Sequence, residues 1–159
     1  MSGLPSLGPR GEGWVAIQVG LLLAVAAAGV WFGPDWSGAL HLGGIVAGLA
    51  ALASGAILVV RGSLDLRGAL TPLPHPRDGA TLVESGVYGL ARHPIYGGLI
   101  LAALGWSWIQ ASLPALVASL VLTGFFVLKS TREEAWLLER FAGYADYRRR
   151  TRRFIPWIY

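Results

Sequence analysis

A polar segment at residues 86–97 carries ionisable and aromatic side chains and leads directly into an apolar run. It holds a cation, an imidazole and two phenols around a proline, at Arg92, His93, Tyr88, Tyr96 and Pro94. Proline suits the first turn of a helix, because its missing N–H would have no intrahelical partner there and its ring presets φ. Arg92 and His93 are therefore predicted at the mouth of a helix. The alternative is an interfacial basic and aromatic anchor, which any membrane helix can carry.

The composition predicts an all-α integral membrane protein. Of the 159 residues, 54% are hydrophobic and 14% are charged, against about 25% charged residues in globular proteins. The chain has no cysteine and three scattered histidines, which excludes disulfides and thiolate ligands and predicts no metal site. The net charge of +4 is typical of cytoplasmic loops in a membrane chain, so no nucleic-acid partner is expected.

About four transmembrane helices are predicted within a single domain covering residues 1–159. Each apolar run approaches the roughly 20 residues that cross a bilayer core, and the runs lie at about 14–32, 39–60, 94–110 and 114–129. In the second run, small residues recur near the spacing that lets membrane helices approach closely. These are Gly44, Gly48, Ser54 and Gly55.

The polar segments are predicted to share the cytoplasmic face. All 13 Lys and Arg residues lie in the leader, in the central connection or from Lys129 onward, and the turns at 33–38 and 110–114 have none. The positive-inside bias therefore places residues 61–93 and 130–159, with both chain ends, in the cytoplasm. After Lys129 the pattern becomes amphipathic, which predicts that the fourth span continues as a cytoplasmic helix followed by an arginine-rich tail. His41 is interpreted as an interfacial or capping residue, and His75 is interpreted as a loop residue.

Three separated motifs, taken together, resemble the isoprenylcysteine carboxyl methyltransferase family, to which phospholipid N-methyltransferases are related. They are Thr81-Leu82-Val83-Glu84-Ser85-Gly86-Val87-Tyr88, then Arg92-His93-Pro94-Ile95-Tyr96-Gly97, then Glu133-Glu134 with Leu137 and Phe141. The resemblance covers roughly residues 80 to 156.

The resemblance implies an enzyme that uses S-adenosyl-L-methionine without a metal. Carried over position by position, the cofactor contacts fall on Thr81, Leu82, Val83, Tyr88, His93, Pro94, Ile95, Tyr96 and Glu133, and the catalytic residues on Arg92, His93 and Lys129. The cofactor carries a sulfonium, an amino group and a carboxylate, so its site needs a carboxylate partner, aromatic faces and hydrogen-bond donors. Lys129 stands where the family has a substrate-side arginine. Lysine keeps the positive charge but lacks the planar guanidinium that binds a carboxylate through two hydrogen bonds.

The implied acceptor is lipophilic and membrane-borne, either a small molecule or a prenylated or lipid substrate, with membrane lipids around the protein and no obligate protein partner. Isoprenylcysteine-type carboxylate O-methylation is favoured. A phospholipid or other amine N-methyltransferase, an NADPH-dependent membrane reductase and a non-enzymatic scaffold are the alternatives. The central loop and the tail are expected to close over the cofactor on the cytoplasmic side.

Overall fold

The computed structural model describes residues 5, 7–66, 73 and 81–159. It contains the helices α1 (Glu12–Trp31), α2 (Gly38–Leu66), α3 (Pro94–Ile109), α4 (Leu113–Arg140) and α5 (Tyr144–Arg150), with a 3₁₀ turn at Gly86–Gly89. The described part of the chain has no β-strand, which confirms the all-α prediction. Most of the proline-rich connection, including His75, lies outside the described residues.

Helices α1 and α4 pack against each other in opposite directions. Near the start of α1, the Trp14 ring lies 5.6 Å from the Phe125 ring of α4. Near its end, the Ser112 hydroxyl donates to the Ala28 carbonyl over 3.2 Å. The start of α1 therefore lies beside the middle of α4, and the end of α1 lies beside the start of α4.

The backbones of α2 and α3 are in direct contact where the two helices cross, because glycines face each other there. A Cβ atom added to Gly98 would lie 2.5 Å from the Gly55 carbonyl oxygen, and one added to Gly48 would lie 2.6 Å from the Gly105 carbonyl oxygen. Only hydrogen fits at such positions, which is how small residues bring membrane helices together. The predicted tight packing of the second span is confirmed at Gly44, Gly48 and Gly55, whereas Ser54 is exposed and does not belong to this contact.

The two arginine-free turns meet at one end of the bundle. The Asp35 backbone N–H donates to the Ala111 carbonyl over 2.7 Å, and its carboxylate accepts from the Leu113 N–H over 2.6 Å. His41 Nε2 lies 3.1 Å from the Ile109 carbonyl oxygen at the end of α3, in agreement with its interpretation as a capping residue. The charged segments lie at the opposite end of the bundle.

Three helices, α1, α2 and α4, are long and apolar enough to cross a membrane. Helix α3 has 16 residues, about 24 Å at the usual rise per residue, and is shorter than the roughly 30 Å hydrocarbon core. The crossing of the membrane by α3, as one of four spans, therefore stays a prediction. Helix α4 continues without a break through 130–140, as predicted for the helical extension.

One predicted boundary is wrong, because α2 continues to Leu66 where residues 61–66 were predicted to belong to the polar connection. Arg61 and Asp65 end the apolar run, but a charge does not by itself break a helix. Asp65 is held in place by tertiary structure, since its carboxylate accepts a 2.8 Å hydrogen bond from the Val87 backbone N–H. The last turns of α2 thereby support the segment that leads to α3.

Candidate active site at the charged end of the bundle

Helix α3 begins at Pro94 as predicted, and the residues before it are held by the C-terminal tail. The backbone N–H groups of Arg92 and His93 donate to the carbonyls of Arg152 and Arg153, each over 2.8 Å. The Arg152 N–H donates in return to the Leu90 carbonyl over 3.0 Å. The tail thus gives partners to backbone groups at the entrance of α3, where helices leave such groups unpaired.

Glu134 on α4 is the centre of an ionic cluster. Its Oε1 lies 2.9 Å from Arg92 Nε and 3.3 Å from His93 Nε2, and its Oε2 lies 3.3 Å from Arg148 Nε and 3.7 Å from Arg153 Nη2. Only 3% of its side chain is exposed. One carboxylate therefore joins α4 to the α3 entrance and to the tail.

Arg92 is fixed by the tail as well as by this carboxylate. Its Nη1 donates to the backbone carbonyls of Arg148 and Thr151. The Arg92 side chain is 8% exposed, so its guanidinium is directed inward by carbonyl and carboxylate acceptors together. This arrangement fixes the position of His93, the next residue in the chain.

Glu133, the neighbouring carboxylate, has a different environment. Its Oε2 accepts a 2.9 Å hydrogen bond from the Tyr96 hydroxyl and lies 3.6 Å from His93 Nδ1. The His93 and Tyr96 rings are stacked with centroids 5.4 Å apart, one helical turn from each other on the chain. The Glu133 side chain is 22% exposed, so an oxygen of this carboxylate is accessible to a ligand.

Lys129 lies one helical turn before Glu133 and is fully buried. Its ammonium lies 5.1 Å from the centre of the Tyr96 ring and donates to the Gln18 side-chain carbonyl on α1. Tyr96 therefore contacts Lys129 with its ring and Glu133 with its hydroxyl. The predicted placement of Lys129 and Glu133 on one helix face agrees with these shared contacts.

The structure brings the predicted residues His93, Tyr96 and Glu133 into direct contact, whereas Arg92 joins them only through Glu134, which His93 also contacts. Pro94 is buried, and Ile95 beside it would touch a Cβ atom added to Gly62 of α2. Thr81, Leu82 and Val83 lie in the non-helical stretch before the 3₁₀ turn. Their assignment to the cofactor stays a prediction.

Tyrosines of the tail pack beneath the segment before α3. The Tyr147 hydroxyl donates to the Tyr88 carbonyl over 2.7 Å, and the Tyr144 and Tyr147 rings lie 5.7 Å apart. Burial raises the pKa of all three phenols, and the charges of Glu134 and Glu133 further raise the pKa of Tyr144. The buried Tyr144 hydroxyl has no hydrogen-bond partner within the described residues.

The sequence interpretation missed four contributors to this site. Glu134 was recognised in a motif but given no role, and Gln18, Arg148 and Arg153 were not singled out. The signal for Gln18 is in the sequence, because it is the only amide or charged side chain between residues 14 and 32. The tail arginines carry no such local signal, since the sequence does not indicate which of five will face Glu134.

Membrane-length helices and a buried ionic cluster at their charged end define a helical membrane protein with a candidate active site at that end of the bundle. The chain belongs to the phospholipid methyltransferase family, whose sequence model matches residues 44–143. That range contains the contacts among His93, Tyr96 and Glu133.

Two curated relatives match about half of the chain. The chain is 39% identical over 79 residues to the protein-S-isoprenylcysteine O-methyltransferase of Schizosaccharomyces pombe, covering 48% of this chain and 34% of the relative. It is 38% identical over 82 residues to the cobalt-zinc-cadmium resistance protein CzcN of Cupriavidus metallidurans, covering 50% of this chain and 38% of the relative. The chain thus spans about a third of the length of these relatives, and the predicted family resemblance is confirmed.

Proposed function

We propose that the protein is a membrane methyltransferase that uses S-adenosyl-L-methionine and acts on a lipophilic acceptor. The observation that carries this proposal is the paired glutamate of the matched family region, in which Glu133 alone keeps an accessible carboxylate. Glu134 is surrounded by cations and is 3% exposed, whereas Glu133 is 22% exposed and is bonded to Tyr96. The first suits a structural role and the second suits a ligand.

The residues present fit the chemistry of this cofactor. The Glu133 carboxylate would accept from its amino group, the stacked rings of His93 and Tyr96 would face its cationic centre, and the orphaned Tyr144 hydroxyl is a further donor. Aromatic faces and carboxylates are the groups that attract a cation of this kind. When bound, S-adenosyl-L-methionine supplies a methyl group on a sulfonium centre.

The residues of the chain would act mainly by positioning. Lys129 would hold the anionic head of an acceptor beside the Tyr96 ring, and Glu133 and His93 would hold the methyl donor on the other side of it. Holding two reactants in the correct orientation can lower the activation barrier by about 7–11 kcal/mol. A carboxylate acceptor is already ionised at neutral pH, so no general base is required.

An isoprenylcysteine-type carboxylate is the favoured acceptor, because a buried ammonium attracts an anion and repels a cation. The relative from Schizosaccharomyces pombe is named for that reaction. The matched family is named for phospholipids; an amine acceptor on such a lipid would first have to lose a proton, and His93 is the candidate base. The site would lie on the cytoplasmic side, where the positive-inside bias places the arginine-rich segments.

Calorimetry on the detergent-solubilised protein tests the cofactor. We expect saturable binding of S-adenosylhomocysteine and no binding of NADPH. Binding of NADPH alone would favour the reductase alternative, and binding of neither nucleotide would favour the scaffold.

Glu133→Gln tests the residue that carries the proposal. Losing one charge-assisted hydrogen bond costs about 1.5–3 kcal/mol, which weakens S-adenosylhomocysteine binding roughly ten- to a hundredfold. Glu139→Gln, an exposed change on the same helix, is the matched control and should bind like the parent. Equal affinity of both variants would remove Glu133 from the site.

A further inference from the structure

Gln18 is the only amide or charged side chain in α1 after Glu12, the first residue of that helix. It lies on α1 two turns from Glu12, on the part of the helix whose Trp14 ring packs against Phe125 of α4. An amide at such a position is costly to bury unless it is hydrogen-bonded. Its side-chain carbonyl accepts a hydrogen bond from the Lys129 ammonium, across the contact between α1 and α4.

This contact fixes the ammonium on one side of Tyr96. Lys129 is fully buried, and its nitrogen lies 5.1 Å from the centre of the Tyr96 ring. The hydroxyl at the far end of the same ring donates to Glu133. Four residues of helix separate Lys129 from Glu133 by about 6 Å along the axis, so Lys129 lies further from the charged end of the bundle.

We infer that Gln18 is a positioning residue that holds the Lys129 ammonium for an anionic acceptor and so makes the site prefer an acid to its uncharged carboxamide. The inference rests on the proposed methyltransferase function. A neutral amide orients an ammonium without cancelling its charge, whereas a carboxylate at the same place would compete with the acceptor for it.

The matched region of the family begins at residue 44, so Gln18 lies outside it. Its role is inferred from the contact with Lys129. The same contact explains why α1 carries a polar side chain at this depth.

Steady-state methylation of N-acetyl-S-farnesylcysteine tests the inference in the parent, Gln18→Glu and Gln18→Met. The uncharged carboxamide of the same compound serves as a competing inhibitor, and S-adenosylhomocysteine affinity is measured by calorimetry. We expect Gln18→Glu to raise the KM of the acid about tenfold. The inhibition constant of the carboxamide and the affinity for S-adenosylhomocysteine should stay within about twofold of the parent, because the carboxamide carries no charge for the Lys129 ammonium to attract and the proposed nucleotide contacts do not include Lys129.

Several results would overturn the inference. One is an unchanged KM of the acid in Gln18→Glu, and another is an equal rise in the KM of the acid and in the inhibition constant of the carboxamide, which indicates general distortion. A parent that methylates only an amine acceptor also overturns it and leaves the proposed function standing. A parent that binds no S-adenosylhomocysteine and methylates nothing overturns both.

Gln18→Met keeps the test decisive if Gln18→Glu does not fold. Methionine preserves the side-chain length and removes the acceptor oxygen. The ratio of the KM of the acid to the inhibition constant of the carboxamide should then rise about threefold, because the Lys129 ammonium loses the hydrogen bond that orients it. An unchanged ratio overturns the inference.

Discussion

Neutralising Glu134 should release the tail from the entrance of α3. Glu134→Gln keeps the side-chain volume but leaves the Arg92 guanidinium, 2.9 Å away and 8% exposed, without its counter-charge. Removing one partner of a buried pair costs about 3–5 kcal/mol. Arg148 is 47% exposed, so its contact contributes at most about 1 kcal/mol.

The loss of folding stability in Glu134→Gln should lie at the lower end of this range, near 3 kcal/mol, because Arg92 keeps its two carbonyl acceptors in the tail. For a domain of this size, that corresponds to a fall in melting temperature of about 6–12 °C. Thermal unfolding in detergent measures it, and limited trypsin digestion reports whether the tail arginines at 148–153 become accessible.

Two comparisons isolate the ionic contribution. Glu139→Gln, exposed on the same helix, should change stability by less than about 0.5 kcal/mol. The double variant Arg92→Gln with Glu134→Gln should be more stable than the sum of the single changes predicts, because the uncompensated guanidinium is gone. A Glu134→Gln protein that melts with the Glu139→Gln control and shows the same trypsin pattern would refute the reasoning.

Three further predictions concern packing, titration and topology. Gly98→Ala should destabilise the fold by about 1–3 kcal/mol, since its Cβ would meet the Gly55 carbonyl, whereas the open Gly124→Ala should be neutral or stabilising in thermal unfolding. Because the folded-state pKa of Tyr144 and Tyr147 is raised, their stabilising contribution is complete below the unfolded pKa near 10 and is lost above it; phenolate absorbance during unfolding at increasing pH measures this. Reporter fusions at both ends of the chain should report the cytoplasmic face, and an external signal from either end would contradict the four-span topology.

The candidate site could be predicted in part from local chemistry. Pro94 marks the start of α3 because proline is favoured in the first helical turn, and the spacing of Lys129 and Glu133 places them on one face because a helix repeats every 3.6 residues. The family resemblance was recognisable from the same motifs. The roles given to Arg92, His93, Tyr96 and Glu133 remain predictions that the proposed experiments address.

The sequence alone determined the helical membrane class, the approximate spans and the motif that belongs to the family, because composition, apolar length and short-range spacing are written in the local order of residues. Only the tertiary structure decided that Glu134 joins Arg92 to the tail, that Gln18 meets Lys129 across 111 positions, and that α2 extends to Leu66. These contacts join distant segments whose pairing depends on how the helices pack. Neighbouring glutamates with the same chemistry therefore acquire different environments, one buried among cations and the other accessible to a ligand.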